Sequence, residues 1–107
     1  MFTKAEDTGF RRLLDGVEIR TLCHGDRTLL AEFRIAKGAV IPEHQHSQEQ
    51  TGYLVSGKLR FTVRGEVAVA EPGDSWSLPA ETVHGAEGLE DTVVVEVFSP
   101  VREDYLP

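Results

Sequence analysis

The chain has little of what several protein classes depend on. It holds a single cysteine, Cys23, among 107 residues, so no internal disulfide can form and a reducing compartment is tolerated. A half-buried strand thiol is the expected role of Cys23. The longest apolar runs fall far short of the roughly 20 residues that a membrane helix needs. The opening "MFTKAEDTGF" carries acids where a secretory signal needs an apolar core. A cytoplasmic protein with no membrane partner is expected. Positive charge is also scarce, with 11 Lys and Arg against 18 Asp and Glu and a formal charge of −7. A phosphate backbone would be repelled overall, so no nucleic acid partner is expected either. Long amphipathic helices, internal repeats, linkers and low-complexity tracts are all missing.

What remains is an ordinary globular balance, 40% apolar and 27% charged. The length suits one compact domain over residues 1–107, because two cores would each be too small to bury enough surface. From Val17 onward, short β-branched runs recur, broken every eight to twelve residues or so by Gly, Pro or Asp. The strand candidates are "VEIRTLCH", "TLLAEFRI", "AVIPEHQH", "TGYLVSG", "KLRFTVRG", "EVAVAEPG", "SWSLP" and "TVVVEVFSP". The fold class is all-β, with an N-terminal arm over 1–16, a sandwich or closed barrel over 17–100 and a tail over 101–107. Closure is favoured because it removes exposed strand edges. In "KLRFTVR", Leu59, Phe61 and Val63 share one face and the charged residues the other. "RGE" at Arg64–Glu66 and "EPGD" at Glu71–Asp74 read as tight turns, the second with Pro then Gly in type II order.

The chemistry-bearing residues cluster in "PEHQHSQEQTGYLVSG". On an extended segment, His44 and His46 point to one face and form a bidentate grip. Gln50, an even number of residues on, shares that face if no bulge intervenes. His84 lies in "PAETVHG", which reads as a loop return. Three imidazoles and an amide oxygen suit one divalent transition metal ion, Zn, Ni, Mn, Fe or Co, and not a calcium-type oxygen cage. Taken alone, an HxH on a surface strand is more often two solvated histidines. Spacing to other residues reverses that.

Gly38, His44, His46, Gln50 and Gly57 are spaced as G-x5-HxH-x3-Q-x6-G, which resembles the first cupin motif with Gln50 in place of its usual Glu. Gly73, Pro79 and His84 resemble the second motif, with Glu81 at its inner Gly and Gly88 at its closing Asn. The resemblance runs from Val17 to Tyr105. It implies a cupin-type double-stranded β-helix, a jelly-roll barrel, with His44, His46, Gln50 and His84 as metal ligands. Gln50 leaves this set neutral, so the ion would keep its full charge and favour a small anionic molecule or an enolic ligand.

The segment "EQTGYLVSGKLRFTVRGE" and the tail "VVVEVFSPVREDYLP" are similar to small cupins of pectin degradation, which turn 4,5-unsaturated uronates into their linear keto form. The subgroup's tail pattern, D-x-F-x3-R, is met here by Glu96, Phe98 and Arg102. The resemblance implies Glu96 and Arg102 as catalytic residues, with Phe98 and Arg102 binding substrate. Alternation places Val94, Glu96 and Phe98 on one face of the last strand. Glu for Asp moves the carboxylate by one methylene, and a shift of about 1 Å can cost a catalytic group on the order of a hundredfold. A Glu96–Arg102 surface ion pair is the plainer reading of the two charges. Trp76 either lines the substrate cavity or packs in the core. Tyr53 is expected in the barrel wall or an interface, and His24 in solvent. Tyr105 and Leu106 are expected to cover a neighbouring subunit in a homodimer, the assembly the resemblance implies. Besides the sugar-acid enzyme, an Fe or Mn dioxygenase and a non-catalytic binding cupin fit these residues.

Overall fold

The computed structural model describes all 107 residues, Met1–Pro107. Ten strands form two antiparallel sheets: β1 (Arg11–Leu14), β2 (Val17–His24), β3 (Leu29–Ile35), β4 (Val40–His44), β5 (Glu49–Ser56), β6 (Leu59–Val63), β7 (Glu66–Ala70), β8 (Ser75–Leu78), β9 (His84–Gly88) and β10 (Thr92–Ser99). One sheet has six strands in the order β1-β2-β3-β10-β5-β8, the other four in the order β4-β9-β6-β7. Of the chain's six changes of sheet, those between β4 and β5 and between β8 and β9 bring chemistry to the same end of the barrel.

Alternation builds the core. Leu29, Ala31, Phe33 and Ile35 of β3 face inward opposite Val94 and Phe98 of β10, and Leu59 and Phe61 of β6 close the other side. On β10 the buried set also includes Glu96, at 7% exposure, on the face the period of two assigns it. Each large apolar side chain buried this way stabilises the fold by about 1.5–3 kcal/mol.

The turns follow their residues. Asp74 donates its backbone N–H to the Glu71 carbonyl at 2.9 Å, with Gly73 at φ +94° as a type II turn requires. Arg64 and Gly65 both take positive φ between β6 and β7, the type I′ pairing of a tight hairpin. At Gly57, φ +96° coincides with an approach so close that a Cβ would lie 2.3 Å from the Asp91 carbonyl.

Several expectations are corrected. Arg11–Leu14, assigned to an N-terminal arm, is a strand paired with β2, its Leu13 packed on the core. His84 starts strand β9 instead of sitting in a loop; "HGAEG" lacks β-branched residues, and hydrogen bonds to β4 on one side and β6 on the other make it a strand. His46 lies two residues beyond the end of β4, which carries a bulge between Ile41 and His44, so the two histidines do not share a strand face. Cys23 is exposed, after a bulge in β2. Tyr105 is buried at 7% against Phe33 and Phe98 of its own chain, because the last turn folds back over the barrel mouth.

Candidate metal centre

His44 and His84 are paired across β4 and β9, and the β4–β5 crossing swings His46 over both rings. Ring centroids lie 4.4 Å apart for His44 and His84, 5.1 Å for His46 and His84, and 5.6 Å for His44 and His46. One ring nitrogen from each lies within 4.8 Å of the others.

The tautomers follow from the backbone. Each Nδ1 faces a carbonyl oxygen: His44 that of Pro42 at 2.9 Å, His46 that of Gln48 at 3.0 Å, and His84 that of Thr82 at 2.7 Å. A carbonyl can only accept, so every Nδ1 carries the hydrogen and every Nε2 keeps a free lone pair. This is the arrangement by which neighbouring acceptors orient metal-binding imidazoles.

Gln50 reaches the same point from the other sheet. Its side-chain nitrogen donates to Glu96 Oε2, which fixes the amide with Oε1 toward His46 Nε2 at 3.0 Å. Two acceptors facing each other make no hydrogen bond, but both can face a cation. The donor set of three neutral nitrogens and one amide oxygen therefore fits a divalent transition ion.

Burial, followed by the charge of Arg102, holds the His46 imidazole below its ordinary range. Burial also lowers His84, against the pull of its hydrogen bond to the Thr82 carbonyl and with the positive charge of Arg102 adding to the fall. Both shifts favour the unprotonated ring that a metal requires. Glu96 moves the other way, lifted by burial from 4.5 to about 7, with hydrogen bonds from Trp76 and Gln50 and the charge of Arg102 pulling against the rise. The Trp76 indole N–H donates to Glu96 Oε2 at 3.2 Å.

Phe33, Ile35, Phe61 and Phe98 line a cavity of about 60 Å³ beneath the histidines, with Glu96 and Arg102 also in its wall. Trp76 is not part of that wall. It packs against Phe61 at 4.6 Å and over Gly52, where a Cβ would sit 2.3 Å from the indole. Tyr53 points outward and is half exposed, and His24 is exposed.

Arg102 does not form the surface pair with Glu96. Its Nε and Nη2 donate to the two carboxylate oxygens of Asp104 at 3.2 and 2.7 Å, and its guanidinium stacks on Tyr105 at 4.0 Å. Partial burial pushes the Asp104 carboxyl up, but the hydrogen bond and charge of Arg102 more than offset this and hold it below its ordinary range. The sequence reading missed Asp104 and the inward turn of Tyr105; the acid two residues after Arg102 was the available signal.

A two-sheet jelly roll with a histidine cluster at one mouth defines the cupin class, and residues 31–99 match the Cupin domain family model. The chain belongs to the cupin family. Its sequence is 28% identical over 103 residues to the pectin degradation protein KdgF of Dickeya dadantii (strain 3937), covering 94% of each chain. In structure it is similar to KdgF from Halomonas sp., with a TM-score of 0.92 and 31% identity over 99% of this chain and 100% of that one. An RmlC-like cupin from Shewanella frigidimarina NCIMB 400 superposes with a TM-score of 0.92 and 28% identity, covering 98% and 95% of the two chains.

Proposed function

We propose that this protein is a metal-dependent enzyme that converts a 4,5-unsaturated uronate, or a closely related sugar acid, to its linear keto form. The observation that carries the reading is the buried Glu96 carboxyl at about 7, one hydrogen bond from Gln50 and thus beside three imidazole lone pairs. Similarity over nearly the whole chain to proteins named for pectin degradation supports the substrate class.

The overall change is an isomerisation. The anomeric hydroxyl loses its proton, the bond from the anomeric carbon to the ring oxygen opens, and the former double-bond carbon C4 gains a proton. No oxidant or second substrate is needed. His44, His46, Gln50 and His84 would hold a Zn, Ni, Mn, Fe or Co ion, which when bound polarises a substrate oxygen. Glu96, near half-protonation at neutral pH, can accept one proton and deliver the other. Arg102 offers its guanidinium to the uronate carboxylate, and Phe98 supplies an apolar floor that excludes water. The partner is thus a small anionic molecule, and the net charge of −7 argues against nucleic acid.

We also propose a homodimer through the outer face of the six-stranded sheet, where Tyr53 and Val55 are each 49% exposed beside the half-buried Val93, Val95 and Val97. A Tyr53→Glu variant sedimenting as a monomer where the native chain is a dimer supports this; two identical profiles oppose it.

The reaction is tested by the loss of ultraviolet absorbance from 4,5-unsaturated galacturonate with metal-reconstituted protein beside His46→Ala. Faster decay with the native protein alone supports the reading. Equal decay, with metal bound to the native protein, removes this substrate.

A further inference from the structure

We propose that Asp104 is a built-in competitor for the ligand's carboxylate: it occupies the guanidinium fork of Arg102 and so sets the affinity of the site for anions. The inference rests on the reading of Arg102 as the anion anchor.

Asp104 shows how a carboxylate fits there. Its two oxygens accept from Nε and Nη2 of Arg102, the paired geometry in which a guanidinium grips any carboxylate. The Arg102 side chain is only 14% exposed and lines the cavity, whereas the Asp104 side chain is 59% exposed at the rim. The anchor is therefore embedded and its occupant is replaceable.

The competitor is also held close. Asp104 belongs to a single 3-10 turn, Glu103–Tyr105. Arg11 Nη2 donates to the Asp104 carbonyl at 2.7 Å, the Thr21 hydroxyl donates to the Tyr105 carbonyl, and the Tyr105 ring is buried. An acid tethered this way competes at high effective concentration.

Cavity size brings the ligand to the same place. A volume of about 60 Å³ holds only a few waters. A six-membered sugar acid must extend from the histidines to the rim, where the fork lies. A neutral sugar makes no demand on that fork and meets no competition.

The magnitude follows from the exposure of the pair. With Asp104 at the rim and Arg102 embedded, the pair is somewhat stronger than the weak exposed kind, so the fork is open for roughly a third to a tenth of the time, and apparent affinity for a carboxylate falls about three- to tenfold. The experiment is calorimetric titration of the zinc-reconstituted full chain with D-galacturonate, a saturated uronate, and with D-galactose as its neutral counterpart. Asp104→Asn and Asp104→Ala, each checked for an unchanged melting temperature, are expected to bind galacturonate about three- to tenfold more tightly and galactose as before. Arg102→Ala is expected to lose the preference for galacturonate and, combined with Asp104→Asn, to show no gain. Unchanged or weaker galacturonate binding in both Asp104 variants, with Arg102→Ala still impaired, overturns the competitor role and leaves the anchor standing. Binding that ignores Arg102→Ala, or is absent from every variant, removes the anchor and the competitor together.

Discussion

Replacing Glu96 with Gln should change how stability depends on pH, by an amount the structure sets. The carboxyl is buried on β10, and its affinity for a proton rises from 4.5 to about 7 on folding. Between those values the folded chain holds a proton that the unfolded chain has released, so stability falls as pH rises. The contribution is fully present below 4.5 and lost by the time pH has passed about 7. At ~1.36 kcal/mol per pH unit, the loss comes to about 3 kcal/mol. His46 and His84 act in the opposite sense: their lowered values add stability above an unfolded value near 6.5 and lose it as pH falls. The difference between native and Glu96→Gln proteins cancels those histidines, because both proteins carry them. Gln keeps the shape and can turn its oxygen to the donors on Trp76 and Gln50. Urea unfolding of both proteins, stripped of metal with a chelator, at pH 5, 6, 7 and 8 measures the difference. The variant should gain on the native chain by about 2–3 kcal/mol across that range. A difference flat to within experimental error would refute the assignment of a neutral, proton-holding carboxyl at 96.

Three further outcomes follow from particular contacts. Adding zinc to about a hundred times its dissociation constant should stabilise the native chain by about 2.7 kcal/mol, seen as a higher melting temperature; His84→Ala should show little of this rise, and an equal rise in both would place the metal elsewhere. Gly52→Ala should destabilise by about 1–3 kcal/mol, because its Cβ would meet the Trp76 indole at 2.3 Å; a urea midpoint equal to the native one would mean that the indole moves freely. Glu81 takes φ +62° at the position where the motif has Gly. Relieving that conformation is worth on the order of 1 kcal/mol, partly offset by the unfolded-chain entropy of Gly, so Glu81→Gly should raise the urea midpoint slightly, and a drop would show that the Glu side chain contributes more than its backbone costs.

Much of the fold could be read where local pattern and tertiary demand agree. The buried positions of β3 and β10 are those of simple alternation, and Val17–His24 is a strand with the ends the sequence suggests. Strand β9 was illegible because its residues disfavour extended structure and only neighbours on both sides impose it. The histidines were found by a spacing rule whose geometric premise does not hold. His44 ends β4, His46 lies in the crossing and Gln50 belongs to the other sheet, so their convergence is a property of the sheet change and not of one strand face. Asp104 was legible only as an acid two residues after Arg102; that the tail turns back over its own barrel, which gives that acid its place, follows from the burial of Tyr105 against Phe33 and Phe98.

The division of labour between Gln50 and Glu96 keeps the charged group out of direct contact with an ion at the histidines. A carboxylate at position 50 would neutralise part of a bound ion's charge directly. Here the amide stands there, its oxygen toward the imidazoles and its nitrogen on Glu96, so the carboxylate is held one residue back from the ion. A divalent ion at the histidines would lie close enough for its charge to favour the ionised form of Glu96, against the desolvation that raises it. Metal binding and proton release from Glu96 are then linked, and the pH-dependent gap between native and Glu96→Gln proteins should shrink when the unfolding series is repeated with zinc present. An undiminished gap would mean that Glu96 does not sense the ion. A diminished one would show that the charge of the metal tunes the proton-carrying group through an uncharged ligand, which leaves that group free to exchange protons with a substrate.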